Sequence, residues 1–129
     1  MKTDTFFVAF NNRLKRAETR YLQAKAKFLE DAAAHPLDAV ACGGYVIERQ
    51  EYFTSLKAVE GYLYDDGYAT RRAALVAALG FFKDLLARAA TAGRSTCDIS
   101  NGVEHRRLLG IREAVSDLEY LLGHESLDG

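Results

Sequence analysis

Residues 70–92 read TRRAALVAALGFFKDLLARAATA. Leu75, Leu79, Phe82, Leu86 and Ala89 recur at steps of four, three, four and three, the spacing of one face of an α-helix. Ala74, Ala78, Phe81 and Leu85 form a second stripe beside the first, so the apolar face is wider than a surface helix requires. What stays polar is a strip through Arg72, Gly80, Lys83, Asp84, Arg88 and Thr91. A helix coated this way needs at least two neighbours, and the sequence predicts it as the inner helix of a bundle. Its charges and modest length argue against a membrane span.

Three further helices surround it. Phe7, Phe10, Leu14, Ala17, Tyr21, Ala24 and Phe28 alternate at three and four residues, the seam of a long bundle helix over about residues 4–34. That helix stops at His35-Pro36, because proline disfavours helical geometry in the residue before it. Pro36 also suits the first turn of a second helix over residues 36–64. The seam there is Tyr45, Tyr52, Leu56, Val59 and Leu63, with Arg49 as the one non-apolar member. Gly43-Gly44 either separates two helices or lies inside one kinked helix and admits a bulky neighbour; the single kinked helix is the preferred reading. Asp65-Asp66-Gly67 has turn chemistry, and Gly93 is placed to close the 70–92 helix. Residues 94–100 read as a loop. The fourth helix, 101–122, is expected to take Asn101 as cap with Glu104 completing a capping box, to bury Leu108, Ile111, Val115, Leu118 and Leu122, and to end at Gly123.

An antiparallel hairpin about residues 35 and 36 pairs positions whose numbers sum to about 71. Phe28 then faces Gly43, and Phe10 faces Gly61. Short turns favour an all-α, up-down-up-down four-helix bundle in one domain, 1–129. The four helices share about 33 Å of length, at about 1.5 Å per residue. Residues 29–42 project beyond it as a hairpin tip.

Composition bounds the function. Apolar residues are 49% and charged residues 27%, values of a globular chain and not of a disordered one. A net charge of −1 supplies no global field for nucleic acid or acidic lipid. Two cysteines, Cys42 and Cys97, are too few for a disulfide framework. The start MKTDTFF lacks the apolar run of a signal peptide, so a cytoplasmic location is expected.

Chemistry-bearing patterns are sparse. None of His35, His105 and His124 has a glutamate three residues before it, so the di-iron bundle motif is absent; Cys42, Cys97, His35 and His105 match no zinc spacing. No metal and no cofactor are expected. Nucleophile-elbow, phosphate-loop and metalloprotease motifs are missing too, and Asp65-Asp66 reads as turn before carboxylate pair. The first helix carries a basic edge of Arg13, Lys15, Arg16, Arg20 and Lys27. Hairpin register sets Arg20 level with Glu51 and Arg13 near Glu60, so these charges are expected to pair across the hairpin and not to hold nucleic acid.

Two surfaces stand out as binding candidates. Leu29, Leu37 and Val40 lie on the tip with only the 94–100 loop to cover them, and uncovered apolar residues mark a partner or self-association surface. Tyr62, Tyr64, Tyr68, Arg71 and Arg72 gather at the start of the 70–92 helix, where free N–H groups, guanidinium forks and stacking rings suit an anion such as a nucleotide. The sequence therefore points to a non-enzymatic, homo-oligomeric protein that binds a protein partner as a small adaptor or inhibitor, a type common among phage and mobile-element products. The alternative is a binding protein for an anionic small molecule such as a nucleotide signal.

Overall fold

Phe6, Phe10, Leu14, Ala17 and Ala24 recur on one side of a 3.6-residue period, and that side is sealed from solvent. The computed structural model describes residues 5–34, 39–92 and 99–124, with side chains for 6–34, 43–90 and 103–123. Four helices make up a helical bundle: α1 (Thr5–Ala34), α2 (Ala39–Leu63), α3 (Arg71–Ala92) and α4 (Ile99–His124). Among the described residues there is no strand, and no helix is long and apolar enough to cross a membrane.

The core joins Phe6, Phe10 and Leu14 of α1 to Leu56 and Val59 of α2, Leu75 and Phe82 of α3, and Ile111, Leu118 and Leu121 of α4. Burying each large side chain contributes about 1.5–3 kcal/mol. α2 packs on all three other helices and most extensively on α1 and α4, whereas α3 packs on α4 and α2. The hub is therefore α2 and not α3. In α3 the first stripe is covered, with Leu75 and Leu79 buried and Leu86 partly so, but the second is only half used. Ala74 and Ala78 are buried, while Phe81 is 52% exposed. A helical period reports how wide an apolar face is, not how many neighbours the fold provides for it.

Register between α1 and α2 follows the hairpin arithmetic. A Cβ on Gly43 would stand 3.3 Å from the Phe28 ring, and the rings of Phe7 and Tyr64 stack at 6.3 Å. Between these two points Tyr21 stacks on Phe53. The expected contact of Phe10 with Gly61 is not made: nothing lies within 4 Å of a Cβ on Gly61, which faces solvent. α2 is helical straight through Gly43-Gly44, and both glycines meet bulky side chains, Phe28 and Arg106.

The Asp65-Asp66-Gly67 turn forms as expected, and a helix cap follows it. The Asp65 carboxylate accepts the Gly67 N–H at 2.8 Å, and the Thr70 hydroxyl accepts the Ala73 N–H at 3.0 Å, an N-cap on α3. The start of α4 differs. It begins at Ile99, so Asn101 and Glu104 lie inside the helix and do not form a capping box, and residues 99 and 100 are not loop. Helix α4 also passes through Gly123 to His124. Gly93, most of the 94–100 loop and the hairpin end at 35–38 lie outside the described residues.

Candidate functional site

Arg49, the break in the α2 seam, is 6% exposed. Its NH1 and NH2 donate to the two carboxylate oxygens of Glu113 on α4. The guanidinium also lies 5.1 Å from the Tyr52 ring centroid and 5.6 Å from that of Tyr45. Tyr45 is 51% exposed, so this seam position serves the arginine more than the core. Burial alone would lower the Arg49 pKa; the hydrogen bond and charge of Glu113 outweigh it, and the net shift is upward. One turn along, the buried Tyr52 hydroxyl donates to Asp117. Burial first, then the bond to Asp117, push the Tyr52 pKa well above its ordinary 10.0, so the hydroxyl remains a donor.

Tyr52, Glu113 and Asp117 form the floor and one wall of a cleft of about 180 Å³, lined also by Arg13, Arg16, Ala17 and Arg20. α1 and α4 both pack closely on α2, and the cleft lies where their charged edges face each other. Arg13, Arg16 and Arg20 follow one another by three and four residues, so one face of α1 aims all three into the gap. Arg13 reaches over the Tyr120 ring of α4 at 5.3 Å, and its buried Nε meets no acceptor among the described residues. Counting Arg49, four guanidinium charges stand against two carboxylates around this cleft.

Among the described residues the basic edge makes no ion pair across to α2. Glu51 pairs with Arg107 of α4 at 3.8 Å, and Glu60 pairs with Lys57 of its own helix at 3.1 Å. Glu48 and Glu51 turn towards α4, where Arg106 donates to Glu48 at 2.6 Å. Among the described residues Arg16 and Arg20 enter no ion pair, whereas Lys57, Lys83, Arg88, Arg106 and Arg107 all do.

The other expected site residues fall elsewhere. Tyr62 and Tyr68 approach ring to ring at 6.0 Å, Tyr64 stacks on Phe7, and the Arg71 guanidinium lies 4.4 Å from the Phe7 centroid. Arg72 is exposed. These contacts favour a packing role for Tyr64 and Arg71, with Thr70 already occupying one N–H at the start of α3. Leu29 is 58% exposed at the end of α1; the side chains of Leu37, Val40, Cys42 and Cys97 lie outside the described residues. Among those residues no group of three or more His, Cys, Asp or Glu is placed to hold a metal ion.

Sequence reasoning named Arg13, Arg16 and Arg20 but missed Arg49, Tyr52, Glu113 and Asp117 as their companions. The available signal was Arg49 itself, a charged residue at a seam position. No protein-family model, no curated protein and no solved structure matches the chain.

Proposed function

We propose that the protein is a non-enzymatic helical binding protein and that the cleft between α1, α2 and α4 receives an anionic group of a small ligand. The observation that carries this reading is the convergence of Arg13, Arg16 and Arg20 on one cleft without an ion-pair partner among the described residues. Guanidinium groups supply donors in a fixed fork that matches phosphate and carboxylate oxygens. Each charge-assisted hydrogen bond contributes about 1.5–3 kcal/mol. The absence of nucleophile, phosphate-loop and metalloprotease motifs from the sequence supports binding over catalysis.

The test is thermal denaturation in low salt with inorganic phosphate, pyrophosphate and nucleotides. A ligand at a hundred times its Kd stabilises by about 2.7 kcal/mol. The Arg16→Ala, Arg20→Ala double variant should lose that shift while its unliganded melt stays near wild type, because both side chains are exposed. An unshifted wild-type melt with every anion returns the arginines to a solvated surface.

A second reading, binding of a protein partner or another copy through the hairpin end, is favoured by the exposure of Leu29. Leu37→Glu with Val40→Glu should then abolish association without lowering the melting temperature. Association unchanged by both substitutions would remove that surface from consideration.

A further inference from the structure

The two long walls of the cleft carry opposite chemistry. Arg13, Arg16 and Arg20 on α1 offer only donors, while Glu113 and Asp117, one turn apart on α4, offer only acceptors. The walls do not close on each other: no ion pair joins α1 to α4 among the described residues. Arg13 is drawn aside onto Tyr120. The carboxylates are held back from below, Glu113 by Arg49 and Asp117 by Tyr52. Neither is used up, since an ionised carboxylate offers about four lone-pair sites. Arg49 occupies two on Glu113, and Tyr52 occupies one on Asp117. The result is a fixed gap with a row of donors on one side and oriented acceptors on the other.

Building on the anion reading above, we infer that the ligand is a small zwitterion. Its phosphate or carboxylate lies on the α1 arginines, and an ammonium at its other end lies on Asp117 and Glu113. An anion without that second group meets two carboxylates that it cannot satisfy. An amine without the anionic head meets three arginines. Both mismatches put like charges together in a partly desolvated gap, which selects against either partial ligand.

Isothermal titration of the full chain in low salt with O-phosphoethanolamine, inorganic phosphate and ethanolamine tests this. Phosphoethanolamine should bind at least tenfold tighter than phosphate, and ethanolamine should give no measurable heat. Asp117→Asn should bring phosphoethanolamine down to the affinity of phosphate and leave phosphate itself undiminished. The asparagine carbonyl still accepts from Tyr52, so the melt should hold. Glu119→Gln removes the same charge from α4 outside the cleft, where Glu119 pairs with Lys83 on the surface, and should leave the preference intact. Equal affinity of wild type for phosphate and phosphoethanolamine would overturn the zwitterion inference and leave the anion site standing. Failure of all three probes to bind would overturn both. Loss of the preference in Glu119→Gln would show a diffuse field and overturn the role given to Asp117.

Discussion

Removing Glu113 should damage the fold more than removing Arg49, although the two make the same contact. In Glu113→Ala the guanidinium of Arg49 remains inside α2 with 7% of its side chain exposed and no carboxylate on its NH groups. Breaking a buried pair from one side costs about 3–5 kcal/mol. The lower end applies here, because Glu113 is 40% exposed, so water reaches the pair, and because the Tyr45 and Tyr52 rings still flank the cation. About 3 kcal/mol in a chain of 129 residues is a drop of about 12 °C in melting temperature, at about 4 °C per kcal/mol. Arg49→Met leaves a carboxylate that solvent can hydrate and puts a flexible apolar chain into an otherwise apolar seam, for about 1 kcal/mol or less. The double variant should resemble Arg49→Met alone, giving a coupling energy of about 3 kcal/mol. Urea denaturation followed by far-ultraviolet circular dichroism measures all four corners of the cycle. Coupling below about 0.5 kcal/mol, or an Arg49→Met variant as unstable as Glu113→Ala, would refute a buried pair at this position.

Gly110→Ala should destabilise by about 1–3 kcal/mol, because the new Cβ would stand 2.5 Å from the Glu48 carbonyl oxygen and 3.0 Å from the Tyr52 nitrogen, backbone atoms that cannot step aside; an unchanged urea midpoint would contradict so close an approach of α2 and α4. Tyr52 predicts an alkaline limit: its folded pKa is raised, so its contribution is complete below 10.0 and is lost as pH rises through the folded value. Above pH 10, wild type should lose up to about 1.4 kcal/mol per pH unit more than Tyr52→Phe, whereas parallel stability curves would show that the hydroxyl titrates as freely as in the unfolded chain. Leu79→Asp, placing a carboxylate at a site 6% exposed among apolar side chains, should abolish the cooperative melt; a melt within a few degrees of wild type would contradict the burial of α3.

The parts of the fold that were legible are those that a short connection constrains. His35-Pro36 places a turn, a turn places the register, and the register puts Phe28 against Gly43, where it lies. The Thr70 cap and the Asp65 turn are equally local, each a side chain bonding a backbone N–H two or three residues away. What was not legible depends on azimuth and on pairs distant in sequence. Glu51, expected to meet Arg20, is turned towards α4 and pairs with Arg107 instead. Arg49 and Glu113 are 64 residues apart and no short turn fixes the pairing of their helices. Periodicity identified a charged residue in the α2 seam without saying which helix would answer it.

The cleft follows from how α2 is shared. α1 approaches α2 closely where Phe28 meets Gly43, and α4 does so where Gly110 meets the backbone of Glu48 and Tyr52. Each glycine removes a side chain that would hold the helices apart, and each lies on a different interface of the same hub. Two helices drawn onto one hub leave a furrow along the outer edge of their contact. The furrow is bordered by the edges of both seams, where charged residues begin, so its floor is the outermost buried ring of α2, Tyr52, and its walls are arginine and carboxylate. Glycine at both contacts lets α1 and α4 seat closely on α2, and among the described residues the arginines of α1 make no ion pair with the facing acids. On this argument the glycine contacts bear on the proposed site as directly as its polar residues: a side chain at Gly110 would push α4 outwards, carry Glu113 and Asp117 away from α1, and should weaken the zwitterion proposed to touch both walls.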